Sequence, residues 1–208
     1  AEGIQQLSKD PETKVIVLLG AGEKSFCAGA SFEELAQLKT IEAATEFFLG
    51  FARVIQAMRS APKFIIARVH GKAVGGGVGL IAAADYAIAT EGAELRLSEF
   101  EIGLGPFVIG PAVERKVGVA HFSAMAIDCS WRGADWALQH GLFQTVCRDI
   151  PELDRKVQEF ALELSNRNPA ATAALKQALW TGTDHWPQLL ADRARTSATL
   201  GIAKIGAN

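Results

Sequence analysis

The sequence predicts a mixed α/β fold, with strands and helices alternating in the front half and helices dominating the back half. Two short apolar runs, Val15-Ile16-Val17-Leu18-Leu19 and Phe64-Ile65-Ile66-Ala67-Arg68-Val69, have the β-branched character of buried strands. Between them, Ile41, Ala44, Phe48, Phe51, Ile55 and Met58 recur every three or four residues, the stripe of a helix with one buried face. Beyond Gly110-Pro111 six helical stretches follow with one strand-like interruption.

In chain order, a helix over Gly3–Ser8 leads through Lys9-Asp10-Pro11-Glu12 into the first strand, which is expected to be buried on both faces and to end at Gly20. A loop of glycine and small residues follows, through Ser25-Phe26-Cys27-Ala28-Gly29-Ala30. Ser31 then caps a helix with Glu33 and Glu34 in its first turn. The Ile41–Met58 helix stops before Pro62 and the Phe64–Val69 strand begins. His70-Gly71-Lys72-Ala73-Val74 leads into Gly75–Ala84, a helix of glycine and alanine. Glycine costs roughly 1 kcal/mol against alanine in a helix, so such a segment is tolerable only where neighbours need close backbone approach. Strands over Tyr86–Ala89 and Glu94–Leu97 come next. The helical stretches are Pro111–Val117, Ala120–Ile127, Ala134–His140, Leu153–Asn166, Pro169–Trp180 and Pro187–Leu200, with a strand at Phe143–Cys147. We divide the chain into an α/β core over 1–115 and a helical region over 116–208, packed as one cooperative unit.

Composition narrows the function classes. Of 208 residues, 49% are apolar and 21% charged, enough to bury a sizeable core. A net charge of −2 with no basic block argues against nucleic-acid binding through phosphate neutralisation. The uncharged run Ala73–Ala84 has twelve residues, short of the ~18–20 that span a bilayer. Cys27, Cys129 and Cys147 lie far apart with no zinc spacing, which fits a reducing, cytoplasmic compartment. His121, His140 and His185 show no ligand spacing, so no metal is expected. Because the chain opens on Ala1 rather than Met, native sequence is expected ahead of it, and Gly206-Ala207-Asn208 has the look of a truncated end.

The glycine cluster has two meanings. Gly77-Val78-Gly79-Leu80-Ile81-Ala82 matches the dinucleotide fingerprint, but that motif needs its first glycine at the end of the strand, and His70–Gly76 intervenes. The other meaning is an oxyanion hole. Backbone N–H groups at a helix start are unpaired and partly positive, and glycine lets a carbonyl oxygen approach them closely. A second donor is then expected from a facing small-residue loop, which Phe26-Cys27-Ala28-Gly29-Ala30 supplies.

Three segments taken together, Ser25-Phe26-Cys27-Ala28-Gly29-Ala30, the stretch Val69-His70-Gly71 to Gly75-Gly76-Gly77, and Leu97-Ser98-Glu99-Phe100-Glu101-Ile102-Gly103-Leu104-Gly105, resemble the crotonase (enoyl-CoA hydratase/isomerase) superfamily over nearly the whole chain. The resemblance implies a crotonase-like spiral of ββα units with a helical C-terminal region, assembled as a homotrimer or a dimer of trimers. It implies acyl-CoA thioester substrates, CoA entering as part of the substrate with no permanently bound cofactor. It also implies an enolate held by the N–H groups of Ala30 and Gly76, with Cys27, Ala28, Ala30, Gly75 and Gly76 against the CoA. Strands preceding Ile4 would complete that site.

Hydratases of the superfamily carry one glutamate three residues beyond the second glycine of the triplet and another in a P-E-x-x-x-G segment. The first position here is Gly79, and the second is assigned to Glu101, preceded by Phe100. Hydration uses two carboxylates well, whereas moving a double bond from C3 to C2 needs one base, so isomerase is favoured. Phe100, Ile102, Leu104 and Phe107 are expected to desolvate Glu101 and raise its pKa. Glu99, which in an extended segment would share a face with Glu101, and Glu114 are candidate substitutes for the missing second carboxylate, but a surface role is favoured for each. His70 is read as a hydrogen-bonded structural histidine, Asp85 as a cap or structural partner, Lys176 as a solvated helix residue, and the tryptophans as core or subunit contacts. The Ile41–Met58 helix and Phe107-Val108-Ile109 are candidates for the acyl pocket. The competing readings are another crotonase reaction, decarboxylation or thioester hydrolysis, and a non-catalytic scaffold that keeps the fold.

Overall fold

The computed structural model describes residues 1–205; Gly206–Asn208 lie outside it. Consecutive strands go to two different sheets. One holds β1 (Ile16–Leu19), β3 (Ile65–Val69), β5 (Tyr86–Thr90) and β8 (Thr145–Cys147) in that order. The other holds β2 (Ser25–Cys27), β4 (Lys72–Val74), β6 (Glu94–Arg96) and β7 (Arg132–Gly133). Neighbours run parallel, with Ile16 opposite Ile65 and Ile66 opposite Tyr86, except for the antiparallel β6–β7 pair. Each turn of chain thus adds one strand to each sheet before crossing through helix, which is the expected spiral of ββα units.

The crossover helices are α2 (Phe32–Gln37) and α3 (Ile41–Ser60) in the first turn, α4 (Gly76–Ala83) in the second and α5 (Gly110–Asp128) in the third. Ser31 and Thr40 cap the first two by accepting from the N–H groups of Glu34 and Ala43, the role their short hydroxyl side chains favour. α4 buries every residue but Leu80 and packs against α3, α5 and β4, so enclosure offsets its poor intrinsic propensity. Gly118 (φ 76°, ψ 163°) breaks α5, so the two helical stretches read on either side of it are the two arms of one kinked element.

Helix α1 (Glu2–Lys9) precedes the spiral, and α6 (Ala134–Gln139), α7 (Ile150–Ser165), α8 (Pro169–Leu179) and α9 (Trp186–Ile205) complete the helical region. Alternation along β3 splits the core: Ile65, Ala67 and Val69 join the main cluster, which runs from Ile16 to Ala194. Ile66 faces the other way, into a smaller cluster with Leu153 and Val157 of α7. The boundary expected at residues 115/116 falls inside α5, and β8 from the back half pairs with β5.

Three local expectations are corrected. β1 packs on both faces, Ile16 and Leu18 on the main cluster and Val17 on the smaller one, but only Ile16 is buried and Leu19 at its end is 58% exposed. Residues 25–27 form β2, parallel to β4; three residues flanked by glycine and alanine are too few to show a strand's two-residue periodicity. Lys176 is 1% exposed rather than solvated. Its Nζ donates to Asp85 Oδ2 at 2.7 Å and to the Lys63 carbonyl at 2.9 Å, tying α8 to the α4–β5 junction. Burial pushes the Lys176 ammonium pKa down and Asp85 pulls it back up.

Candidate active site

Two turns meet at the ends of neighbouring parallel strands. After β2, the chain passes through Ala28-Gly29-Ala30 into α2; after β4 it passes through Gly75 into α4. Gly75 has φ 51°, ψ −113°, a conformation that side-chain-bearing residues rarely adopt. Its N–H donates to the Arg96 carbonyl at 2.8 Å, locking the turn to β6. Gly76 is the first residue of α4, where no preceding turn offers a carbonyl. Among the described residues neither Gly76 N–H nor Ala30 N–H donates to a backbone carbonyl. The two turns touch, because a Cβ on Gly29 would stand 3.4 Å from Gly76 N.

Between and above these turns lies an apolar cavity of about 50 Å³, lined by Ala28, Gly29, Ala30, Gly75 and Gly76 on one side. Phe48 and Phe51 of α3, Leu35 of α2, and Leu104 to Ile109 line most of the rest, with Ser98, Glu99 and Ser197 as its polar side chains. A Cβ on Gly76 would overlap the Phe51 ring, so this glycine is required for α3 to close over the turn. Cys27 is not among the lining residues. It pairs with Ala73 in the sheet, and its carbonyl lies where a Cβ on Gly77 would fall.

The acid that reaches this cavity is Glu99. A Cβ on Gly75 would lie 2.8 Å from Glu99 Oε1, so the carboxyl sits directly against the glycine turn. Oε2 is buried without a hydrogen-bond partner among the described residues. Burial drives the Glu99 pKa up to about 7 from 4.5, while the backbone N–H groups of Glu99 and Ser98 pull it down. The surroundings expected for Glu101 are found instead at Glu99. The Glu101 side chain is half exposed and ion-paired with Arg96, and Phe100 beside it is 61% exposed.

A 3₁₀ turn over Phe100–Ile102, closed by Gly103 at φ 73°, causes the difference. It abolishes the two-residue alternation that would put both acids on one face. The sequence did carry a signal, because E-x-x-x-G occurs twice, as Glu99–Gly103 and as Glu101–Gly105. Of the two glycines only Gly103 has the left-handed conformation.

The second carboxylate position is occupied by something else. A Cβ on Gly79 would come within 2.5 Å of both Cβ and Cγ2 of Ile109, so the volume of a glutamate side chain there is already filled. Gly79→Glu is therefore expected to destabilise by roughly 1–3 kcal/mol through overpacking and to confer no added hydration rate. Gly79→Glu/Ile109→Ala, compared by thermal melting, is expected to recover part of the loss.

His70 is 6% exposed, and neither ring nitrogen makes a hydrogen bond among the described residues, contrary to the expected bonded histidine. Burial, and then Arg68, hold the imidazole pKa below its usual range, while the Gly22 backbone beside the ring works to raise it. The His70 carbonyl accepts from Thr90 Oγ1 at 3.3 Å. His70 does not line the cavity.

A parallel two-sheet spiral carrying two facing amide turns defines a protein of the crotonase fold. A family model described as enoyl-CoA hydratase/isomerase matches residues 1–199, and the chain belongs to that family. It is 32% identical over 180 residues to the short-chain-enoyl-CoA hydratase of Clostridium acetobutylicum, covering 86% of this chain and 68% of that one. The solved enoyl-CoA hydratase of Mycobacterium smegmatis superposes with a TM-score of 0.82 at 28% identity, covering 97% of this chain and 76% of the other. That of Bacillus halodurans superposes with a TM-score of 0.88 at 22% identity, over 100% and 86%, a likeness of fold. Among the described residues no helix is long and apolar enough to cross a membrane.

Proposed function

We propose that the protein acts on an enoyl-CoA thioester through one carboxylate, Glu99, and that its reaction is migration of the double bond from C3 to C2. The observation that carries this is Glu99, its Oε2 buried and its carboxyl against the glycine turn, with Ile109 filling the space at Gly79 where a second acid would stand. The thioester oxygen sits between the N–H groups of Ala30 and Gly76, where preorganised donors stabilise the negative charge that develops. Glu99 as carboxylate takes a proton from C2, leaving a dienolate whose charge rests on that oxygen. The protonated Glu99 then returns the proton to C4, and the double bond reforms between C2 and C3. One group serves as base and then acid, which a pKa near 7 suits.

Hydration of a 2-enoyl-CoA is the competing reading, favoured by the names its relatives carry. The test follows conversion of 3-enoyl-CoA to 2-enoyl-CoA and hydration of 2-enoyl-CoA on the same preparation. Isomerisation faster than hydration supports the one-base reaction, and the reverse order overturns it. Turnover of neither returns the site to decarboxylation, thioester hydrolysis or a scaffold role.

Because Glu99 must be ionised to act as base, kcat/KM is expected to rise through about pH 7 and level off above it. Folding stability should move the other way. With the folded pKa raised from 4.5 to about 7, the native state binds more protons than the unfolded chain in that window. Stability therefore falls as pH rises through it. Denaturant titrations at pH 5 and pH 8 check the sign, and a Glu99→Gln variant is expected to lose this part of the difference.

A further inference from the structure

The cavity wall contributed by α9 carries one polar side chain, Ser197, which is 2% exposed as a residue. Two other hydroxyls on the same helix bond back to it: Thr196 Oγ1 donates to the Asp192 carbonyl at 3.2 Å and Thr199 Oγ1 to the Arg195 carbonyl at 2.9 Å. Ser197 makes no such bond, nor any other side-chain hydrogen bond among the described residues. Its Oγ is not among the side-chain atoms sealed off without a partner, so the hydroxyl opens onto the cavity and is free to bond a ligand there. Alanine would serve if only a small residue were needed, as Ala194 and Ala198 do on the same helix, both fully buried. The other polar side chains of the cavity, Ser98 and Glu99, come from the segment after β6, at the reacting end.

Resting on the enoyl-CoA reading above, we infer that Ser197 is a specificity residue that hydrogen-bonds a neutral oxygen, a ketone or hydroxyl, on the acyl chain beyond the reacting carbons. Neutral, because the lining includes no lysine, arginine or histidine among the described residues to balance an acyl carboxylate. Short and aliphatic, because apolar cavities that take up benzene measure ~150 Å³, whereas this one holds about 50 Å³. The preferred substrates are thus short acyl-CoA thioesters bearing an oxygen a few carbons from the thioester, which an apolar pocket without Ser197 would reject for the cost of stripping that oxygen of water.

The test is calorimetric binding of saturated acyl-CoA pairs, so that turnover does not intervene: pentanoyl-CoA against 4-oxopentanoyl-CoA, and hexanoyl-CoA against 5-oxohexanoyl-CoA, with free CoA as reference. In at least one pair the wild type is expected to bind the oxo ligand about threefold to tenfold more tightly, the worth of one neutral hydrogen bond. In Ser197→Ala that ratio is expected to fall to one or below. A Ser197→Thr variant, which keeps the hydroxyl, should retain a ratio above one. Plain acyl-CoA bound with no oxo preference in either pair, or a preference that survives in Ser197→Ala, overturns the role of Ser197 and leaves the acyl-CoA reading standing. No binding of any acyl-CoA above that of free CoA overturns both.

Discussion

Replacing Glu99 with glutamine is expected to lower kcat for enoyl-CoA conversion by a factor on the order of 10² to 10⁴, the contribution of a positioned acid–base group. KM should change little, because the amide keeps the shape of the side chain against Gly75 and removes only its proton chemistry. The inflection near pH 7 in kcat/KM should vanish with it. Glu101→Gln is the matched control. Its carboxylate is half exposed and paired with Arg96. Exposed pairs contribute about 0–1 kcal/mol, so its rate is expected to stay within about fivefold of wild type. Steady-state kinetics on the two variants together decide which acid is the base; a collapse in Glu101→Gln with Glu99→Gln active would reverse the assignment.

The largest effect on stability is expected at Asp85. Its carboxylate, 7% exposed, accepts from Lys176 Nζ at 2.7 Å and from the Ile65 N–H at 2.8 Å. The Trp180 indole N–H lies 3.5 Å from its other oxygen. Asp85→Ala strands the Lys176 ammonium, 2% exposed, with no counter-charge inside the α8–core junction. Breaking such a pair costs about 3–5 kcal/mol, and at roughly 2–4 °C per kcal/mol for a chain of this size Tm should fall by about 6–20 °C. Replacing both partners, Asp85→Leu with Lys176→Met, is expected to recover most of the loss, since no charge is then left unpaired. Arg155→Ala breaks an exposed pair with Glu159 and should shift Tm by about 2 °C or less. Thermal melts of the three variants check the order, and equal losses in the single and paired changes would show that packing rather than charge holds the junction.

The two turns of the candidate site were legible in the sequence. Small residues at a turn into a helix are what an oxyanion hole would need, and Ala28-Gly29-Ala30 and Gly75-Gly76 stand out by composition alone. The structure brings both turns to one cavity. Which acid lies against these turns was not legible to the same degree. Glu99 and Glu101 stand two residues apart in the same repeating pattern, and what separates them is one short 3₁₀ turn over Phe100–Ile102. Three residues carry too little periodicity to predict such a turn. Lys176 was missed for a related reason: a lysine on a helix is solvated unless a carboxylate far away in sequence meets it, and Asp85 lies 91 positions earlier.

Local pattern determined the longer elements of this protein, their order and the placing of the glycine turns, because side-chain periodicity, capping and close-approach glycines act within a few residues of themselves. The alternation of strands between two sheets, the burial of Glu99 rather than Glu101, the filling of the Gly79 space by Ile109 and the pairing of Asp85 with Lys176 were decided only by tertiary structure. Each depends on which residues from distant parts of the chain exclude water from a given atom, and that is a property of the packed core.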